Sequence, residues 1–476
     1  MVKRLLPKSH FARHVSVLAG GTVAGRLVVV AASPILTRLY SPGDFGLLAV
    51  FVGLVATISV VASLRYQLAI PLAETDGEAA SVTTLSALIV FLVTSLTTVT
   101  VVLWGRQMAQ VLNAPALVKH LWLVPVGTLL IGTYQVLNYW AIRTRSFTAI
   151  ARTTLTQAIG SVVMQVGGFK LGPAALLFGQ VTGQAAGNTN LILGTLRPYR
   201  QLFKKVSRGD LSKAAVRWRR FPLYDTWSAA LNTAGTQLPA LLFASLFTPA
   251  AAGVYLLADR VLQTPMGVLG GAISQVFFSR SAQALRDGEL AALVATIHSR
   301  LAQIAMPPTI ILMLSGPALF ALVFGDQWRE AGRFAQWMAP WVYMVFVTSP
   351  LSQLFSVLEK QAQGLVFNTV LFTTRTGGLL LGASRGDLML AVALFSVAGA
   401  LCWLVFLIWI IRSSGNSWTA LIVPNVNTFT VSLLLSSPLL FQHITQSGFT
   451  MGMGTLSLSV LLMLAYYGYL WRNKST

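Results

Sequence analysis

Apolar stretches of membrane-spanning length recur from one end of this chain to the other, separated by short polar breaks. A helix needs roughly 20 apolar residues to cross a bilayer. Such runs fall near 15–36, 45–70, 83–104, 121–141, 150–168, 173–195, 223–247, 250–278, 298–324, 334–357, 362–383, 388–411, 418–441 and 452–471. They are far longer than the roughly 9–11 alternating residues of a barrel strand. Composition agrees, since 55% of the 476 residues are hydrophobic and 10% charged, against about 25% charged in soluble domains. The expectation is an all-α polytopic membrane protein with about 14 transmembrane helices, or 12 if the last two runs are set aside. The thirteenth run contains Pro424, Asn425 and Asn427, and a membrane helix tolerates these where neighbours re-satisfy the backbone.

A net charge of +21, from 34 Lys and Arg against 13 Asp and Glu, is the usual footprint of a nucleic-acid binder. Its distribution points elsewhere. With the N-terminus cytoplasmic, inside segments hold 23 of the 34 basic residues, outside loops hold 7, and Arg26, Arg65, Arg260 and Arg375 fall within spans. Lys and Arg accumulate in cytoplasmic loops, so both termini are expected inside and no nucleic-acid partner is expected. One inside loop runs against this pattern, with Glu74, Asp76 and Glu78 and no Lys or Arg. The longest polar segment, Arg197 to Arg220, has nine basic residues and one acid, Asp210. It reads as a topogenic linker on anionic lipid headgroups, where each cation contributes about 1 kcal/mol; binding of a specific partner is the other reading.

The basic start and the apolar run behind it have the order of a signal peptide, with Val30-Ala31-Ala32-Ser33 resembling a cleavage site. The spanning length of that run, and the second run just after it, favour a retained first helix. The single cysteine, Cys402, allows neither an internal disulfide nor a cysteine-based metal cluster.

Two turns match at one offset of 207 residues: Ser41-Pro42-Gly43-Asp44-Phe45-Gly46 and Thr248-Pro249-Ala250-Ala251-Ala252-Gly253. Each puts a hydroxyl N-cap before Pro at the first helical position and a small residue one turn on, where helices approach closely. The spans before them carry Pro34 and Pro239, and the basic linker lies between the halves. Six spans separate the two turns, so the halves point the same way. Parallel repeats of this kind mark transporters, whose substrate sites lie at the repeat interface.

The segment Pro34 to Gly46, followed by Ser63-Leu64-Arg65-Tyr66-Gln67-Leu68-Ala69-Ile70, resembles the N-terminal signature of Wzx-type O-antigen and exopolysaccharide flippases. A second block is similar to the same family: Phe221-Pro222-Leu223-Tyr224-Asp225, Leu231-Asn232, Gln237-Leu238-Pro239, and Ala252-Gly253-Val254-Tyr255 with Asp259-Arg260-Val261-Leu262. Together they cover about the first 280 residues; the C-terminal third matches only in hydropathy. The resemblance implies the multidrug/oligosaccharidyl-lipid/polysaccharide exporter superfamily, with two parallel six-helix lobes around a central cavity. The lobes would be residues 1–196 and 223–412, joined by the linker 197–222 and followed by two additional helices in 413–476. The implied substrate is an oligosaccharide on undecaprenyl pyrophosphate, moved from the cytoplasmic to the periplasmic leaflet of the bacterial inner membrane. Polysaccharide polymerase and chain-length proteins are implied partners beside membrane lipids. No cofactor is implied, and a coupling ion, H+ or Na+, is left open. The family often has Glu after Arg-Tyr; here Gln67 stands there, which counts against a proton-carrying role at that position.

Ionisable residues within spans are functional candidates by default, and a pyrophosphate favours Arg for its bidentate fork. Arg26, mid-way along the first span, leads, with a structural pair or snorkelling as the other reading. Arg65 lies toward the cytoplasmic end of the second span. Asp259 and Arg260 are adjacent, about 100° apart on a helix, and a structural ion pair between spans is the bland alternative for them. Asp225 reads as a helix-start charge. Arg375 would accompany the lipid carrier. Tyr66, Gln67, Asn232 and Gln237 are sugar-hydroxyl candidates, against ordinary interhelical hydrogen bonds. Gly179, Gly183 and Gly187 read as a close-packing stripe.

Two rival functions remain. A polytopic glycan polymerase or transferase would need placed acids in sizeable outside loops, where only Asp44, Asp326, Glu330 and Asp387 occur, and no phosphate-binding Gly-Lys-Ser/Thr loop supports an ATPase. The other rival is a cation- or proton-coupled drug exporter, against which the Arg-bearing spans favour an anionic substrate. The charge count itself predicts topology: alkaline phosphatase fused after Thr476 is expected to be inactive and a fluorescent protein there bright. An active phosphatase fusion would reverse the orientation.

Overall fold

The computed structural model describes residues 10–445 and 449–472; Lys3, Arg4, Lys8 and Lys474 of the basic termini lie outside them. The described residues fold as helices without a strand and pack as two compact units that divide between Leu256 and Leu257. The first unit contains α1 (His10–Leu39), α2 (Pro42–Ser59), α3 (Asp76–Val111), α4 (Leu123–Arg143), α5 (Phe147–Gly167) and α6 (Pro173–Leu191). Two short helices, α7 (Arg200–Lys204) and α8 (Arg208–Arg217), then lead to α9 (Thr226–Leu246) and the first turns of α10 (Pro249–Pro265). The second unit continues through α11 (Gly271–Arg286), α12 (Leu290–Phe324), α13 (Arg329–Thr348) and the single turn α14 (Leu354–Val357). It ends with α15 (Gln361–Ser384), α16 (Leu388–Ser414), α17 (Trp418–Leu435), α18 (Ser437–Thr445) and α19 (Phe449–Arg472).

A helix lies on each of the fourteen expected spans. Five are individually long and apolar enough to cross a membrane: residues 20–39 of α1, α2, α3, α12 and α16. The second span is interrupted, because α2 stops at Ser59 and a 3-10 helix resumes at Tyr66–Leu72. The eighth combines α10, a π turn at Met266–Gly270 and α11. In the thirteenth, the polar residue is satisfied: the Asn425 amide donates to His298 Nε2 at 2.8 Å, and Tyr343 Oη donates to Asn425 Oδ1 at 2.9 Å.

The two matched turns behave alike. Ser41 accepts from the Asp44 amide at 3.2 Å, while Asp44 accepts in return from the Ser41 amide, a closed capping box; Thr248 accepts from the Ala251 amide at 3.1 Å. They also meet each other. A Cβ on Gly46 would collide with the Pro249 carbonyl, and one on Gly253 with the Pro42 carbonyl. Each turn thus seats its small residue on the other's proline, and α9 runs along α2 behind this contact. The boundary between the two compact units falls inside α10.

The glycine stripe of α6 closes on α5, where Cβ atoms at Gly179, Gly183 and Gly187 would strike Gln165, Gln157 and Ser161. It is a packing seam.

The linker folds back onto the first unit, and this explains the acidic loop of Glu74, Asp76 and Glu78. Arg217 of α8 pairs with Glu74 at 2.6 Å and with Glu78 at 3.1 Å, and Trp218 Nε1 donates to Glu78 at 3.1 Å. Arg143, with 15% of its side chain exposed, pairs with Asp76 at 2.9 Å and donates to the Ile70 and Ala73 carbonyls at 3.1 and 2.7 Å. Ala214 is buried with Ala62, Ile70 and Trp140, and Tyr199, Phe203 and Trp218 pack around them. Exposed ion pairs alone contribute at most about 1 kcal/mol each; burial of the apolar side of the linker does more to hold it.

The reciprocal contact yields a stability prediction. Gly253→Leu should destabilise by about 1–3 kcal/mol or more through overpacking, whereas Gly20→Leu, with open space around its Cβ, should stay within about 0.5 kcal/mol. Thermal unfolding of the two variants in detergent checks this, and equal midpoints would show that the close approach is dispensable.

Candidate functional site

In the first unit the break in the second span is the unusual element. Leu64 and Arg65 take positive φ values of 47° and 63°, which costs a non-glycine residue roughly 1–2 kcal/mol each. Such strain persists only where surroundings over-determine it. Here they do. Ser63 Oγ donates to Gln67 Oε1, Gln67 Nε2 reaches Gln135 Oε1 at 3.5 Å, and Tyr66 Oη donates to the Ala215 carbonyl of α8 at 3.1 Å. Tyr66 and Gln67 are buried, so both expected sugar partners are turned to internal bonds of the unit. Arg65 is half-buried, and its Nε has no acceptor. The break therefore presents one guanidinium from a fixed backbone.

Arg26 stands elsewhere, on the exposed side of α1 beside Leu27. Its helix is held by Gly21 and Gly25, which press on Ala151 and Thr154 of α5. Among the described residues no carboxylate pairs with it. An exposed guanidinium half-way along a membrane helix requires water or a counter-charge. On α9, Asn232 is exposed and Gln237 half-buried, and neither bonds another described side chain. Asp225 lies at the end of a π turn, Phe221–Asp225, and caps no helical amide.

The second unit brings three expected residues into one electrostatic group. Gln263 Nε2 reaches Asp259 Oδ1 at 3.5 Å, and Asp259 lies in the field of Arg375 and Arg260. The Arg375 guanidinium carbon sits 3.9 Å from the ring centres of both Trp341 and Phe395. Contact of this kind holds the guanidinium plane and is worth about 0.5–2 kcal/mol per ring. A cation fixed in plane offers two parallel N–H donors to a phosphate. Nothing in the local pattern around Trp341 or Phe395 marks them, because the clamp joins α13, α15 and α16. The chain His298, Asn425 and Tyr343 was likewise missed; His298 Nδ1 lies 3.2 Å from the Val347 carbonyl, so both ring nitrogens are engaged.

Asp44, Asp326, Glu330 and Asp387 each serve a helix start or an adjacent cation. Asp44 closes the Ser41 box, Asp326 pairs with Arg329 at 2.8 Å, Glu330 pairs with Arg333 at 3.1 Å, and Asp387 accepts from the Leu390 amide at 3.0 Å.

A family model described as polysaccharide biosynthesis protein matches residues 35–333. No curated protein sequence matches the chain. Among solved structures it is similar to the lipid II flippase MurJ in an inward closed conformation, with 11% identity, TM-score 0.71, and coverage of 96% of this chain and 99% of that one. It is also similar to a MATE in complex with MaL6, with 13% identity, TM-score 0.53, and 84% and 96% coverage. An outward-facing multidrug resistance MATE family transporter of the MOP superfamily matches at 13% identity, TM-score 0.51, and the same 84% and 96% coverage. At these identities the likeness is one of fold.

Arg65 can be separated from its backbone. Arg65→Gly removes the left-handed penalty and the guanidinium together, so it should leave the unfolding midpoint unchanged or raise it while transport falls at least about tenfold. A parallel loss of stability and transport would make Arg65 a structural residue.

Proposed function

Because the chain belongs to the polysaccharide biosynthesis protein family that its residues 35–333 match, we propose that it is a flippase for undecaprenyl-pyrophosphate-linked oligosaccharide units. It would carry them by alternating access from the cytoplasmic to the periplasmic leaflet of the inner membrane, for O-antigen or exopolysaccharide assembly. The observation that carries the reading is Arg26, a cation exposed half-way along a membrane helix with no carboxylate paired to it among the described residues. A pyrophosphate supplies the missing counter-charge. Arg65 in the first unit and the ring-clamped Arg375 in the second are the further phosphate candidates, Arg260 beside Asp259 completes the cations, and Asn232 and Gln237 are the open sugar partners.

Supporting the transporter over the enzymatic reading, each acid of the outside loops is occupied in a cap or an ion pair. The repeat halves 1–196 and 223–412, both termini on the cytoplasmic side, and a handover to polymerase and chain-length proteins belong to the same proposal. A coupling ion remains part of it without a residue assigned.

A deletion strain should lose surface polysaccharide and accumulate lipid-linked units on the cytoplasmic leaflet. Complementation with Arg26→Ala should restore less than about a tenth of the polysaccharide, and Arg26→Lys an intermediate amount. Full activity with Ala would remove Arg26 from the site, and normal polysaccharide in the deletion strain would overturn the flippase reading.

A further inference from the structure

The segment between α6 and α9 carries a charge imbalance that its fold does not relieve. Arg197, Arg200, Lys204, Lys205, Arg208, Lys213, Arg219 and Arg220 are all exposed, and among the described residues none of them pairs with a carboxylate. The nearby acids are already engaged. Glu74 and Glu78 hold Arg217, and Asp76 holds Arg143. Asp210 is bound to the hydroxyl and amide of Ser207 at 2.7 and 3.0 Å, bonds that hold its carboxyl below the usual carboxylate range. The ninth cation, Arg217, is thus the one that serves the fold, and the other eight face outward.

Two further features describe what could cover this face. Helix α8 is two-sided: Leu211, Ala214, Ala215 and Trp218 turn inward, at the 3- and 4-residue spacing of one helix face, while Lys213 and Val216 turn outward. Large apolar side chains stand exposed beside the cations, with Val216 63%, Leu223 57%, Tyr224 71% and Trp227 69% accessible. Cations mixed with exposed aromatic and aliphatic groups are the pattern of a surface that lies in the headgroup layer. The chain geometry demands that position, since only five residues lie between α6 and Arg197 and five between Arg220 and α9, too few to leave the bilayer surface.

We propose that this face is a docking surface for anionic phospholipid headgroups, clasped on its other side to Glu74 and Glu78 of the first unit by Arg217. Charge complementarity selects the occupant: eight exposed cations, none with a paired carboxylate among the described residues, attract anionic lipid and gain nothing from a zwitterionic one. Through the Tyr66 bond to Ala215 the docked linker also abuts the strained turn at Arg65, so lipid on one face bears on the conformation of the second span.

The test uses the full-length protein in phosphatidylethanolamine nanodiscs with and without phosphatidylglycerol, with retained lipids counted by native mass spectrometry. The wild type should retain phosphatidylglycerol over phosphatidylethanolamine, and high salt should weaken that preference. The variant Lys204→Gln/Lys205→Gln/Arg208→Gln/Lys213→Gln should lose it by at least about tenfold, with an unchanged unfolding midpoint, and the matching Lys/Arg swaps at these four positions should keep it. A control, Arg280→Gln/Arg286→Gln/Arg300→Gln, should change it less than about twofold. Equal retention of the two lipids by the wild type would overturn the proposal, as would equal losses in linker and control variants. If, with undecaprenyl pyrophosphate added to the same nanodiscs, the linker variant lost it but kept phosphatidylglycerol, the face would belong to the substrate headgroup and the proposal would also fail.

Discussion

An ionised side chain at the centre of a bilayer costs about 2.5–3.5 kcal/mol even on insertion scales, and that cost sorts every charge in this protein. At the membrane surface, acids are consumed by helix caps and by the Arg143 and Arg217 clasps. Inside the spans there is no such economy. Asp259 is the single acid among four arginines, and it stands near two of them. Aromatic faces add to that acid at Arg375, and Arg26 and Arg65 have to be answered by water or by a passing anion. The transport reading rests on that imbalance rather than on the total charge of the chain.

Close backbone approach is the second determinant. The reciprocal seating of Gly46 and Gly253 on two proline carbonyls joins the two copies of one sequence motif, so the repeat is a packing device. It pulls α9 onto α2, and the compact units divide inside α10 for that reason. Helices with little hydrophobic drive to associate in lipid depend on such small-residue contacts.

Much of the fold was legible because apolar run length is a local property: each expected span carries a helix, and the Ser41 and Thr248 starts cap as their residues demand. The glycine stripe at Gly179 was legible for the same reason. What escaped depends on residues far apart in the chain. Glu74 finds Arg217 across 143 positions, and Tyr66, a plausible sugar partner by type, instead bonds a linker carbonyl 149 residues away. The left-handed turn at Leu64 and Arg65 has no glycine or asparagine to announce it. The clamp on Arg375 needs rings from two other helices, so only its charge could be read.

In the proposed function the intramembrane cations move an anionic lipid-linked glycan between leaflets. The most direct measurement is a leaflet assay in proteoliposomes that contain only this protein and undecaprenyl-pyrophosphate-linked oligosaccharide, with the glycan exposed on the outer surface titrated by a lectin over time. Net movement of glycan from one leaflet to the other, faster than in protein-free vesicles and slowed by removal of Arg26, is the predicted result. Movement no faster than in protein-free vesicles, with the protein folded and oriented, would contradict it.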